Sequence, residues 1–153
     1  MRLALYQPDI AGNVGTILRL AACLGVPVDL IEPMGFAFST RALARAGMDY
    51  AAQADVTRHV DWAAFEAGAG RIVLLTTVGG VRLDQARFAP GDTLLLGSEG
   101  AGVPAAVHDR ADCALRIPMR PGFRSLNVAV AGAMALGEAL RQIDGWPHAT
   151  ETQ

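Results

Sequence analysis

The stretch "DTLLLGSEGAGVP", residues 92–104, holds a fold decision in thirteen letters. Its first part is apolar without alternation, as in a strand covered on both faces. Gly97, Gly100 and Gly102 follow at once. Pro104 then opens "PAAVHDR", where a proline suits the first turn of a helix. Buried strand, glycine-rich turn and helix, in that order, make one β–α unit.

Working outward, the same unit recurs. "RLALY" reads as a first strand, and "NVGTILRLAACLG" as a helix capped by Asn13 and ended by Gly25. "VPVDLIEP" is a second strand, followed by a short helix in "STRALARAGMDY" started by Ser39 or Thr40. "DVTRHV" is a brief strand, and "DWAAFEAG" a helix capped by Asp61. "RIVLLTT" is a strongly apolar strand, "CALRIP" a last one, and a closing helix starts after Ser125, capped by Ser125 or Asn127. Such alternation predicts an α/β fold, a mostly parallel sheet with helices on both faces. The 153 residues suit a single domain, 1–153, whose polar tail over 145–153 is expected to fray.

A hydrophobic fraction of 52% with 18% charged residues argues against disorder. The longest apolar run, "VAVAGAMALG", is far short of the roughly 18 residues of a membrane span, and no signal peptide is expected at the start. Cys23 and Cys113 have no metal or redox spacing and read as buried free thiols of a reducing cytoplasm. His59, His108 and His148 are scattered, so no metal is expected. The net charge of −2 is no footprint of a general nucleic-acid binder, yet all 13 basic residues are arginine. Arginine's planar fork pairs bidentately with phosphate, although genome composition explains the bias as well.

Ligands of open α/β sheets gather at the carboxyl ends of the strands. Three loops there stand out. "GSEGAGVP" has neither the G-x-G-x-x-G nor the G-x-x-x-x-G-K-[ST] order, which argues against a dinucleotide or P-loop site. Glu99 within it is a carboxylate that a turn does not require. "QPDIAGNVGTILRL" places Asn13 and Arg19 on the first helix, the latter readable as an ordinary surface residue. "RIPMRPGFRSLN" carries Arg116, Arg120 and Arg124 with no acid among them, stiffened by Pro118 and Pro121. These loops offer backbone access, one carboxylate, amide side chains, a serine and cations, but no Ser-His-Asp set and no paired acids. Such a site suits a reaction in which positioning matters more than a strong nucleophile.

Taken together, "PDIAGNVGTILRLAACLG", "LIEPMGFAFSTRALARAGMDY", "LLLGSEGAGVP" and "IPMRPGFRSLNVAVA" resemble, in order and over nearly the whole chain, the SPOUT-class RNA methyltransferases. The resemblance is to the small branch that methylates the 2′-hydroxyl of the tRNA wobble nucleotide. It implies a SPOUT-type α/β domain with a C-terminal deep trefoil knot, which general rules of topology would have excluded. It implies a cytoplasmic homodimer that uses S-adenosylmethionine and grips the tRNA anticodon arm. By position the methyl donor would meet Leu75, Thr76, Gly97, Ser98, Glu99, Gly100, Ile117, Pro118, Met119, Ser125, Leu126 and Asn127. Catalytic roles would fall to Arg19, as base or phosphate-orienting cation, with Asn13, Glu99, Ser125 and Asn127. Candidate RNA contacts are Arg19, Arg41, Arg45, Arg116, Arg120 and Arg124. The chain departs from the branch in two places: "GSEGAGVP" lacks a loop arginine found in relatives with "GPETRGLP", and Gly137 replaces an aromatic residue of some relatives. A non-catalytic RNA-binding dimer of the same fold is the alternative, and a generic nucleotide- or flavin-binding domain a more distant one.

Overall fold

The computed structural model describes residues 1–39, 50 and 53–148. Seven strands form one sheet: β1 (Arg2–Tyr6), β2 (Val28–Ile31), β3 (Val56–His59), β4 (Ile72–Leu75), β5 (Val81–Arg82), β6 (Thr93–Leu96) and β7 (Cys113–Arg116). All neighbours pair in parallel, in the order β3-β2-β1-β6-β4-β7-β5. Among the described residues, four α-helices accompany them: α1 (Ala11–Leu24), α2 (Trp62–Glu66), α3 (Ala105–Arg110) and α4 (Val128–Gln142).

The pleat explains the packing, because successive strand side chains point to opposite faces. Leu3, Leu5, Leu94 and Leu96 join Val14, Ile17 and Leu18 of α1 and Ala135, Leu136 and Ala139 of α4 in one core. Ala4, Tyr6, Leu74 and Leu95 face the other way and pack with Phe65 of α2 and Val107 of α3. The expected sheet, buried on both faces, is therefore present, and β1 and β6 at its centre carry most of it. The small residues of α4 allow close approach. A Cβ at Gly132 would sit 2.9 Å from a methyl of Leu96, so the helix backbone rides directly on β6.

Helix ends follow local chemistry with two revisions. Asp61 caps α2 by accepting from the Ala64 amide at 2.8 Å, and Gly25 ends α1 in the left-handed conformation at φ 66°. Of the two candidates for the last helix, Asn127 is the cap; its Oδ1 accepts from the Ala129 and Val130 amides at 2.9 and 3.2 Å. Asn13, expected to cap α1, does not. The helix begins three residues earlier, at Ala11 after Ile10, which gives no side-chain cap, and this frees the Asn13 side chain for another partner. Pro104 immediately precedes α3 instead of lying in its first turn.

Cys23 is exposed and Cys113 half-buried, against the expectation of two buried thiols. Cys23 lies on the outer stripe of α1 with Gly12, Thr16 and Arg19, opposite the face that supplies the core. The helix expected in "STRALARAGMDY" falls on residues 40–49, outside the described residues. At the other end of the chain, the Gly145 amide donates to the Leu140 carbonyl at 2.9 Å. The Trp146 ring lies 3.9 Å from where a Cβ on Gly137 would stand, so it occupies the flank that an aromatic at 137 would otherwise fill. No described helix is long and apolar enough to cross a membrane.

A site bracketed by one carboxylate

The carboxyl ends of β4, β6 and β7 open into a cavity of about 850 Å³. That is within the range of roughly 300–1,000 Å³ usual for small-molecule sites. Three chain segments form most of its walls: the turn after β4, the loop after β6 and the loop between β7 and α4; the starts of α1 and α4 and residues of α3 complete it.

The loop after β6 folds back on itself. Ser98 and Gly102 exchange backbone hydrogen bonds of 3.0 and 2.9 Å, and Ser98 Oγ accepts from the Ala101 amide at 3.3 Å. A Cβ on Gly97 would lie 2.6 Å from the Gly102 carbonyl carbon, so only glycine fits there. This tight loop aims Glu99 at the start of α1.

Glu99 ties the site together. Its Oε2 accepts from the Asp9 amide at 2.7 Å, and its Oε1 from Asn13 Nδ2 at 3.0 Å. Asp9 answers with Oδ2, which accepts from the Gly100 amide at 3.1 Å. Asn127 Nδ2 donates to Asn13 Oδ1 at 2.9 Å. The orientation of this chain is fixed from one end. The two α4 amides demand an acceptor, so Asn127 must turn its oxygen to them and its NH₂ to Asn13. Asn13 must then offer its oxygen to Asn127 and its NH₂ to Glu99. The carboxylate is held at the α1 start, where the helix dipole favours negative charge. Both of its oxygens are engaged as acceptors, so it acts as a strut between loops.

Most residues expected to meet a methyl donor line this cavity. Leu75 and Thr76 do so from the end of β4, and Gly97, Ser98, Glu99 and Gly100 from the loop after β6. Ile117, Met119, Ser125, Leu126 and Asn127 do so from the last loop, whereas Pro118 is not among the lining residues. Asn13 also lines it, and so does Arg124. Arg116 and Arg120 are exposed beyond it, and none of these three arginines has a carboxylate partner among the described residues. Arg19 is elsewhere: it is exposed on α1, does not line the cavity, and its guanidinium stacks over the Tyr50 ring at 5.3 Å. Arg41 and Arg45 lie outside the described residues.

Sequence reasoning missed Asp9, which clasps Gly100 from ninety-one positions away; no local pattern marks that pairing. It also missed His108 and Asp109 of α3, which line the cavity, and the rim residues Thr77 and Val78. Val78 is held by a small turn in which Thr76 Oγ1 accepts from its amide at 3.1 Å. No cluster of three or more metal-ligating side chains exists among the described residues.

Comparison with known proteins gives this geometry a context. The SpoU rRNA Methylase family matches residues 1–137. The chain belongs to that family. A tRNA (cytidine(34)-2′-O)-methyltransferase of Beijerinckia indica subsp. indica is 56% identical over 145 residues, covering 92% of this chain and 91% of that protein. A solved structure that gives insights into the 2-OH methylation of C/U34 on tRNA superposes with a TM-score of 0.87. It is 44% identical and covers 94% of this chain and 96% of its own. An AdoMet-bound rRNA methyltransferase of Sinorhizobium meliloti is 30% identical with a TM-score of 0.79, covering 92% of this chain and 55% of that one.

Proposed function

We propose that this SpoU-family protein transfers a methyl group from S-adenosylmethionine to the ribose 2′-hydroxyl of the wobble nucleotide, cytidine or modified uridine, in the anticodon of tRNA. The observation that carries the reading is the Glu99 bracket. It holds an apolar, glycine-walled cavity open beside arginines that have no carboxylate partner among the described residues. The high identity to tRNA (cytidine(34)-2′-O)-methyltransferases supports the substrate, and the likeness to an AdoMet-bound relative supports the cofactor.

The cavity suits that cofactor. Leu75, Leu96, Ile117, Met119 and Leu126 offer apolar walls, and the Gly97 cradle, which a Cβ would fill, lets backbone approach closely. When bound, S-adenosylmethionine supplies an electrophilic methyl group on a sulfonium. The chain's part is positioning. Glu99, with both oxygens engaged, shapes the wall by holding the loop after β6 against the start of α1. Ser125 lines the cavity and makes no hydrogen bond among the described residues, so its hydroxyl is available to the donor or to the ribose. Arg124 offers a cation at the mouth for the RNA phosphate. Arginine stays protonated at physiological pH, so Arg19 serves best by orienting phosphate or ribose through charge-assisted hydrogen bonds.

Arg19 does not line its own chain's cavity, and this favours a homodimer in which a second copy brings it to the reacting ribose. An exposed apolar stripe supports the same assembly: Val130 and Met134 one turn apart on α4, with Ile10 at the start of α1. The C-terminal trefoil knot belongs to the reading too. β7 lies between β4 and β5, and the chain linking those two passes β7 so closely that a Cβ on Gly80 would meet the Ala114 carbonyl oxygen at 2.4 Å. A tRNA substrate supports a cytoplasmic location.

Incubation with methyl-labelled S-adenosylmethionine and bulk tRNA, followed by nucleoside analysis, tests the reading. Label is expected in 2′-O-methylated cytidine or modified uridine. Label in a base-methylated nucleoside, or none, contradicts it.

A further inference from the structure

Phe123 is 71% exposed, on the loop between β7 and α4. A phenylalanine in water forgoes the burial that usually justifies it. Isolated exposed apolar residues are common on surfaces, so exposure alone decides nothing. Two further observations do. First, the ring is displayed on a rigid support. The Phe123 amide donates to the Arg120 carbonyl at 3.3 Å, and Gly122 has φ 93°. With Pro121 before it, "RPGF" is a type II β-turn, and such a turn holds its first and fourth residues side by side. Arg120 and Phe123 are therefore presented together. Second, this turn stands at the mouth of the cavity. Arg124, the next residue, lines the cavity, as do Ser125 and Leu126. No ring or cation–π partner meets Phe123 among the described residues, and Arg120 and Arg124 on either side hold no carboxylate there.

We infer that Phe123 is a stacking platform for a nucleobase of the anticodon loop, at or beside the nucleotide whose ribose is methylated. This rests on the methyl-transfer reading above and adds a positioning residue to it. The partner must offer a flat π face and negative charge within a few ångströms of each other, and it must do so at the entrance used by the ribose. A nucleotide has both, with the phosphate for the guanidiniums and the base for the ring. A protein partner would need carboxylates beside an aromatic pocket, and it would compete with the substrate for the mouth.

Full-length Phe123→Ala, Phe123→Leu and Phe123→Trp proteins are compared with wild type on an anticodon stem-loop RNA, with S-adenosylmethionine affinity and gel-filtration behaviour measured alongside. Phe123→Ala and Phe123→Leu are expected to raise the KM for RNA about tenfold, within the usual effect of removing one aromatic stacking partner. The kcat and the cofactor affinity stay at the wild-type level, and Phe123→Trp restores KM. With RNA lacking the base beside the reacting ribose, wild type and Phe123→Ala become equal. An unchanged KM in Phe123→Ala, or a wild-type KM in Phe123→Leu, overturns the inference while leaving the enzyme's function intact. So does a changed oligomeric state in Phe123→Ala, because the ring would then be a chain–chain contact. A wild-type protein that methylates no ribose overturns the underlying reading instead.

Discussion

The amino ends of the strands and the loop between β7 and α4 treat arginine in opposite ways. At the amino ends of the strands Arg2 holds Asp29 with two hydrogen bonds, 2.8 and 3.0 Å, and His59 Nε2 meets the same carboxylate at 2.8 Å. Arg71 pairs at 2.6 Å with Asp92, which is 1% exposed and also accepts from the Ala89 amide. At the carboxyl ends, Arg116, Arg120 and Arg124 have no acid among the described residues, while the nearby Glu99 and Asp9 are bound to backbone amides and Asn13. A charge is stabilised by a partner inside the chain or left for one outside it. The amino end is closed and contributes stability. At the carboxyl ends Arg58 pairs with Glu32 and Arg82 with Asp84, and only the arginines of the β7–α4 loop are left for a ligand in this account.

If that division is right, substitutions at the two ends fail differently. The largest effect belongs to Gly97→Ala. Its methyl group would collide with the Gly102 backbone, which cannot retreat without opening the loop. We expect cofactor binding, followed calorimetrically, to be lost and the folded state to weaken by about 3 kcal/mol, as in other overpacked positions. Glu99→Gln comes next. An amide cannot accept with both atoms, so either the Asp9 amide or Asn13 Nδ2 loses its acceptor. The loss of one charged hydrogen bond, about 2 kcal/mol, predicts a fall of roughly thirtyfold in kcat/KM, with a smaller loss of stability.

Asp29→Asn should do the reverse. It breaks the Arg2 and His59 contacts far from the cavity, so thermal unfolding should shift down by about 4–8 °C for a loss of about 2 kcal/mol. Methyl transfer per folded molecule should not change, and a parallel loss of activity would break the comparison. The smallest effect is a surface one. Hydrogen bonds from Arg141 and then Gln142 hold the Glu138 carboxyl down to about 2 from its ordinary 4.5. Because the folded value is the lower one, the pair's contribution is complete above pH 4.5 and is lost as pH falls toward 2. Glu138→Gln should flatten acid unfolding in that window and leave activity at neutral pH unchanged.

The layers were legible because period and burial are local properties. Unbroken apolar runs such as "TLLL" report a sheet covered on both faces, and Asp61 and Gly25 mark helix ends wherever they stand. The site was legible only in part. The sequence placed three loops at one end of the sheet, and the family resemblance chose their lining residues. What joins those loops was hidden. Asn13 read locally as a cap, yet its side chain reaches Glu99 eighty-six positions away. Asp9 carries no local signal, and its partners become visible only when β1 and β6 lie side by side. β5 was missed because Val81 and Arg82 are exposed and too few to carry an alternating pattern.

The central claim is that the loop cations are unpaired because their partner is RNA. Its most direct test is the salt dependence of tRNA anticodon stem-loop binding, comparing wild type with an Arg116→Gln, Arg120→Gln, Arg124→Gln triple variant. Each phosphate contact on single-stranded RNA adds about 0.7 to the slope of log K against log salt concentration. The account predicts that the triple variant loses about 2 from that slope, whereas Arg71→Gln at the closed end leaves it unchanged. Equal slopes for wild type and the triple variant would contradict the account.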